Sequence, residues 1–331
     1  MKKNIQGFAQ TAMNTIPSIF NENLTPYTAV GGKERSAPSG ISLVVLNPPG
    51  YPNRSIFSDI EKTGFDKVIS IETASPHYDI EELAGRFPFV KFILPKKEIN
   101  LGEQINLAAA EIDSPFFLVL QSDMKIIAGG TARRLAEREI ERTEEDKRIC
   151  TVPLIINSNY ELLPTIASPI TKKRKMRTVC LEPQNEGDMC LYPFCGIGIY
   201  DRDRFIRIGG YDTTINKVYW QLMDFGFRSF LWGEKIMLSL HLKLMFDGEL
   251  TAEETTAEEN YIRFKLKNLA PVFKKDHAHL PFYRFPFFKH NSGMDFFSAM
   301  KNFKEGRKWV KKNKYRWKFD ARDVINLWST I

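Results

Sequence analysis

The sequence predicts an α/β fold, a doubly wound and mostly parallel sheet with helices on both faces, followed by a basic helical C-terminal extension. Three observations carry this. Short, continuous apolar runs alternate four times with helix-like segments across residues 41–120. The connections between them are short, which favours right-handed βαβ crossovers. Each apolar run also stops abruptly at polar or breaker residues, as strands buried on both faces do.

In order, ISLVVLN (residues 41–47) is a strand cut off by Pro48-Pro49-Gly50. Residues 54–63 read as a helix with Ile56, Phe57 and Ile60 on one side. Residues 67–72 form a second strand, 80–87 a helix and 90–94 a third strand. Asn100-Leu-Gly-Glu103 has capping-box spacing and starts a helix reaching about Glu111. Residues 116–120 form the fourth strand, ending on Gln121-Ser122-Asp123. Residues 131–147 are a charged surface helix with i,i+4 pairs such as Arg133–Glu137, and residues 151–156 are another strand. Residues 168–190 are polar and irregular, so a mobile loop is expected there. A second organised block follows at 196–200, 205–210 and 220–233, then an apolar strand over 235–246 and an acidic hinge or helix start over 251–259. The expected division is an N-terminal tail and linker (1–40), the α/β domain (41–250) and the extension (251–331).

Of 331 residues, 43% are hydrophobic and 26% charged, an ordinary globular composition. The net charge of +7 is unevenly spread: residues 260–319 hold 16 Lys/Arg against three acids, a local +13 that leaves −6 elsewhere. Polyanion binding is therefore a question for the extension alone. The four cysteines (Cys150, Cys180, Cys190, Cys195) show no CxxC or zinc spacing and read as reduced thiols of a cytoplasmic protein. No signal-peptide core and no run of 18 apolar residues occurs. Asn23-Leu-Thr and Asn53-Arg-Ser match glycosylation acceptors, which carry no weight without a secretion signal.

Chemistry concentrates at the strand ends Pro48-Pro49, Glu72-Thr-Ala-Ser75 and Gln121-Ser122-Asp123, which share one edge of a parallel sheet and can converge on one ligand. Glu72 suits hydrogen bonding to a base or ribose, and Asp123 suits a hard cation bridging a diphosphate. Both residues also fit plain turn-terminating roles.

The chain here resembles the inverting, GT-A-fold glycosyltransferases of family 2. Residues 68–75 (VISIETAS) look like the strand ending in that family's acidic nucleotide loop. Residues 106–124 (NLAAAEIDSPFFLVLQSDM) resemble its Asn, alanine-rich helix, apolar strand and Asp-x-Asp segment. GIGIY (196–200), FIRIGGYD (205–212) and FGFR (225–228) are similar to its acceptor-side block. The resemblance covers roughly residues 40–245. It implies transfer of a sugar, with inversion, from a nucleotide-diphosphate donor to a glycan, lipid-linked or protein acceptor, assisted by Mg2+ or Mn2+. By position, Pro48, Glu72, Gln121, Ser122 and Asp123 would bind the donor, Asp123 the metal, and Gly210 and Asp212 the acceptor. Two departures stand out. Gln121 replaces the first acid of Asp-x-Asp, and the family's Glu-Asp pair falls on Gln221-Leu222. Asp224 is then the nearest candidate base, although on a regular helix it points about 200° away from Leu222. The alternative is a catalytically silent GT-A-like module that holds a nucleotide or glycan.

Other motifs weigh less. Asp224-Phe225-Gly226 spells the kinase Mg2+ motif without its companions. His277, His279 and His290 lack a fourth ligand, whereas His241 lies on a strand that could return to the metal edge. The aromatic, lysine-rich segment 301–318 reads first as a helix packed on the domain. It reads second as a peripheral contact with an anionic bilayer, on the inner membrane face, and last as a nucleic-acid grip.

Overall fold

The computed structural model describes residues 25–33, 38–47, 53–73, 79–172, 175–246, 248, 254–256 and 259–328. In chain order its first strands are β1 (Tyr27–Gly31), β2 (Ile41–Leu46), β3 (Val68–Ile71), β4 (Val90–Pro95), β5 (Phe116–Gln121), β6 (Met124–Ala128) and β7 (Cys150–Ile156). They are followed by β8 (Ile166–Lys172), β9 (Lys175–Leu181), β10 (Gly198–Asp201) and β11 (Ile236–Phe246). Nine of these build one sheet in the order β1-β4-β3-β2-β5-β10-β7-β11-β6. β2, β3, β4, β5, β7 and β11 run one way, and β1, β6 and β10 run against them. The sheet is thus mostly parallel, with three antiparallel insertions that the strand–helix alternation did not reveal.

The apolar runs are continuous because both faces of the sheet are covered. In β2, Ile41, Leu43 and Val45 face one core layer while Val44 and Leu46 face the other; in β5, Leu118 and Leu120 oppose Phe117 and Val119. Helices α1 (Ser55–Ile60) and α2 (Ile80–Arg86) contribute to the first layer, as does α4 (Ala132–Ile140). Helices α3 (Leu101–Glu111), α5 (Arg202–Ile208) and α6 (Val218–Leu231) contribute to the second. Asp79, Asn100, Thr131 and Asp201 cap α2, α3, α4 and α5 by accepting from first-turn amides. The capping box expected at α3 is half made: Asn100 accepts from the Glu103 amide, but the Glu103 carboxylate accepts instead from the Thr25 hydroxyl.

Three segments differ from the sequence expectation. Residues 27–31, read as linker, form an edge strand on β4, because the Tyr27 hydroxyl reaches the Glu111 carboxylate and the five residues pair with 91–95. The charged helix expected over 131–147 ends at Ile140, where the chain turns so that Arg142 can bind both Glu139 and Asp146. The first half of the loop expected over 168–190 belongs to a hairpin, β8 against β9, whose start at Ile166 and Ala167 is anchored in the core. Its polar alternation conceals it.

Helix α6 is buried from Tyr219 through Leu231, its polar Gln221, Asp224 and Arg228 included, each with a hydrogen-bond partner. Gly226 permits this, since a Cβ there would lie 1.9 Å from the Leu191 carbonyl oxygen. That close approach accounts for the glycine of the kinase-like triplet. The extension begins with α7 (Glu259–Phe264), which runs into a π-helical turn (Lys265–Leu269). Then come the short hairpin β12 (Val272–Lys274) and β13 (His277–His279), and helices α8 (Phe285–Ser292), α9 (Phe296–Asn313) and α10 (Ala321–Asn326). Phe264, Leu266, Phe303, Trp309, Val310 and Trp317 join the same core layer as Val44 and Phe225. The extension therefore completes the core of the sheet domain, as the first of its three sequence readings anticipated. No helix among the described residues is long and apolar enough to cross a membrane.

Candidate functional site

The strand order reverses between β2 and β5, so the crevice outside their carboxyl ends is the topological switch point, where open α/β sheets bind ligands. Leu46 pairs with Gln121 on one side and with Ile71 on the other, which sets Asn47, Glu72 and Ser122 in a row. The Ser122 amide donates to the Leu46 carbonyl at 2.9 Å and fixes the turn that carries Asp123. Asn47 donates through Nδ2 to the Ile71 carbonyl at 2.7 Å and to Ser70 Oγ at 3.1 Å. Asn47 Oδ1 and Ser122 Oγ are both buried and have no hydrogen-bond partner among the described residues. Leaving two such atoms unsatisfied in a strand core is costly; at a switch point they are ready acceptors or donors for a polar ligand. Pro48 lies outside the described residues.

Glu72 is at this edge, buried, and held by a bidentate Arg54 (3.1 and 2.8 Å) and by Ser70 Oγ at 2.6 Å. Arg54 sits just before α1 and is 19% exposed in its side chain, whereas that of Glu72 is fully buried beneath it. Gln121 and Asp123 are both half-buried. Gln121 shares the face of Phe117 and Val119, where it continues the row begun by Val44 and Leu46. Arg54 and Asn47 were not legible as residues of this edge, because neither lies in a recognisable motif.

His241 is corrected as a metal partner of Asp123. Met124 pairs with Phe246 and Ala128 with Lys243, so His241 lies beyond the far end of that ladder, past a register shift. The five residues from 246 back to 241 span roughly 16 Å of strand. Among the described residues no group of three or more His, Cys, Asp or Glu side chains could hold a metal ion. Asp123 remains as the carboxylate at the edge. One carboxylate fits Mg2+ or Mn2+ only in company with a diphosphate and waters, which is how such ions are usually held beside nucleotides.

The acceptor-side residues lie elsewhere. Gly210 is left-handed (φ 60°), and a Cβ there would meet Asn106 Oδ1 at 2.3 Å. Asn106 clamps the next residue, accepting from the Tyr211 amide at 2.9 Å and donating to its carbonyl at 2.9 Å. Tyr211 stacks on Phe225 at 4.3 Å. Asp212 is 0% exposed and accepts from Thr214 Oγ1 (2.6 Å), Arg263 Nε (2.7 Å) and Lys267 Nζ (2.8 Å). Asp224, also 0% exposed, accepts from Asn268 Nδ2 (2.8 Å), meets Lys267 Nζ at 2.6 Å and holds Arg228 at 3.1 Å. Arg228 in turn donates to the carbonyls of Ile208 and Gly210.

Two assignments change accordingly. Asp224 is not placed to accept a proton from a sugar hydroxyl, and Asp212 does not face an acceptor; both are the anionic half of a buried cluster completed by the extension. Burial by itself would raise the Asp212 carboxyl, but Lys267 and Arg263 outweigh it and hold the group well below the usual carboxylate range. Burial lowers Lys267, opposed by the same two carboxylates. Gln221 is equally committed. Its Oε1 accepts from the Gly102 amide at 2.7 Å, and its Nε2 donates to Asn100 Oδ1 at 2.8 Å and to the Ile215 carbonyl at 3.0 Å. Here a neutral amide bridges the start of α3 to α6, doing work a carboxylate could not, since it must both donate and accept.

A mostly parallel sheet of this order, with its crevice at the β2–β5 switch point, is a GT-A-like α/β fold, the fold of the glycosyltransferases found among its structural neighbours. The particular likenesses are remote. GalNAc-T7, solved with UDP, GalNAc and Mn2+, aligns with a TM-score of 0.56 at 16% identity, over 86% of this chain and 57% of that one. S. aureus TarS aligns with a TM-score of 0.45 at 11% identity, over 86% and 45%. Its 1–349 fragment with UDP-GlcNAc gives 0.43 at 11%, over 87% and 75%. This chain thus spans about 57% of the length of the GalNAc-T7 chain. No protein-family model matches it, and no curated protein does.

Proposed function

We propose that this chain is a glycosyltransferase that binds a nucleotide-diphosphate sugar in the β2–β5 crevice. The observation that carries the reading is the row of Asn47, Glu72, Ser122 and Asp123 at the switch point, with two buried polar atoms there that no described residue satisfies. The GT-A-like fold shared with GalNAc-T7, which was solved with UDP, GalNAc and Mn2+, supports it. In this reading Asn47 Oδ1 and Ser122 Oγ contact the donor, and Glu72, its side chain buried, holds the partly exposed Arg54 at the same edge. Asp123 would hold Mg2+ or Mn2+ on the diphosphate, and that ion would supply charge neutralisation of the leaving group. The acceptor belongs to the glycan, lipid-linked or protein class, and the transfer proceeds with inversion.

One observation favours a second reading, a silent nucleotide- or glycan-binding module: the acids nearest the family's base position are locked in the core. Calorimetry with a panel of nucleotide sugars, with and without Mn2+, separates the two. A transferase binds a donor metal-dependently and turns it over, and Asp123→Ala reduces that binding at least about tenfold. Donor binding of wild-type strength in Asp123→Ala would sink the metal assignment. Metal-independent glycan binding without turnover would establish the module.

A further inference from the structure

We infer that the face formed by α8 and α9 seats this protein on an anionic lipid bilayer. Helix α9 presents Lys301, Lys304, Lys308, Lys311 and Lys312, all exposed, and its sole acid is Glu305. At about 100° per residue the five lysines fall within an arc of roughly 100°, with Glu305 just outside it. Phe297 lies in the same arc at the N-terminal end of the helix, 83% exposed.

That end is an aromatic patch. The rings run Phe282 to Phe285 (5.7 Å), Phe285 to Phe296 (5.8 Å) and Phe296 to Phe297 (5.8 Å). Phe285, Phe288 and Phe303 are buried beneath it, while Tyr283 (76%) and Phe287 (69%) are exposed, as Phe296 and Phe297 are. The aromatics of this extension thus divide in two. Trp309 and Trp317 turn into the core, as do Phe285 and Phe288, whereas Phe282, Tyr283, Phe287, Phe296 and Phe297 are exposed. Large exposed apolar clusters on a folded protein mark interaction surfaces.

A lysine stripe alone would suit any polyanion. The gathering of the exposed aromatics at the N-terminal end of the stripe, with Phe296 edge-on to Phe297, rather than interleaved between the lysines of α9, selects a bilayer. Rings enter the interface while lysines lie along the headgroups. Proteins that track single-stranded nucleic acid instead alternate stacking rings with cations along a groove.

The test uses the full chain and vesicles of phosphatidylcholine, with or without about 30% phosphatidylglycerol, in a sedimentation assay. Binding is expected to the anionic vesicles alone and to weaken as salt is raised. Each lysine replaced by glutamine should weaken partition roughly fivefold, so Lys301→Gln, Lys304→Gln, Lys308→Gln and Lys311→Gln together lose two orders of magnitude or more. Phe287→Ser with Phe297→Ser should weaken it about tenfold at constant charge. These residues are exposed, and an unchanged melting temperature confirms folding. Wild-type protein that ignores anionic vesicles, or binds neutral ones equally, overturns the proposal without recourse to any variant. Vesicle binding untouched by the phenylalanine changes, or matched by equal affinity for duplex DNA, overturns it in favour of a general polyanion surface.

Discussion

Two groups of carboxylates in this chain look alike in sequence and differ in place. Glu72 and Asp123 sit at the carboxyl edge of the sheet, beside buried polar atoms that the described residues leave unsatisfied. Asp212 and Asp224 lie inside the core, each held by at least two cationic groups. The difference teaches that an acid in a motif is a candidate only until its partners are counted. Glu72 too is ion-paired, to Arg54, but at the strand ends beside the half-buried Asp123, whereas the cluster around Asp212 and Asp224 is closed within the core and stabilises the fold. Lys267 is the pivot of that cluster, since its Nζ bridges both aspartates and lies 4.8 Å from the Trp309 ring centre.

The largest expected effect breaks the core side of this contrast. Lys267→Met removes the shared cation and leaves two buried carboxylates to Arg228 and Arg263, at a cost of about 3–5 kcal/mol in chemical denaturation. Asp123→Ala at the edge should change stability by no more than about 0.5 kcal/mol. In a double-mutant cycle, Asp224→Asn should couple to Lys267→Met by about 1 kcal/mol or more. Equal destabilisation by the edge and core variants would erase the distinction.

The two regions were not equally legible in the sequence. The strands of the edge announce themselves because burial on both faces demands unbroken apolar runs, as in residues 41–46 and 116–120. The turn after β5 follows from its abrupt polar end. The core cluster gives no such signal, because the contact of Asp212 with Lys267 spans 55 residues and Lys267 is one of 16 basic residues in its segment. Asp224 in particular is the carboxylate nearest in sequence to Gln221-Leu222, where the resemblance places an acid pair. What decides its role is Asn268 and Lys267, whose arrival depends on how the extension folds back. The same limit applies to β8 and β9, which pair through backbone groups that carry no side-chain pattern.

Acidification should expose the cluster next. Asp212 is held below its unfolded value, so its contribution is complete above about pH 4, where the unfolded carboxyl is ionised. That contribution is lost progressively as pH falls below this toward the folded value. Asp212→Asn should therefore be less stable than wild type at neutral pH, and the gap should narrow in urea melts as the pH falls from about 4 toward 2. A gap that stays constant over that window would mean that the Asp212 charge does not enter the energetics of the cluster.

The smallest effect sharpens the edge. Gln121 stands where the resemblance to family 2 glycosyltransferases places an acid, on the strand face that leads directly to Ser122 and Asp123. It is half-buried and close to the switch point, and Gln121→Asp would put a second carboxylate beside the first. Hard divalent cations gain affinity from each carboxylate they can reach, and lose some of it to repulsion between the carboxylates when no cation is bound. The expected result is Mn2+-dependent donor binding about tenfold tighter than wild type, with metal-free binding slightly weaker. Both arms can be read in one calorimetric series. If the substitution instead weakens binding with Mn2+ present, Gln121 contributes to the donor as an amide, donating to it as a carboxylate cannot, and the glutamine is then an adaptation of the pocket rather than a lost ligand.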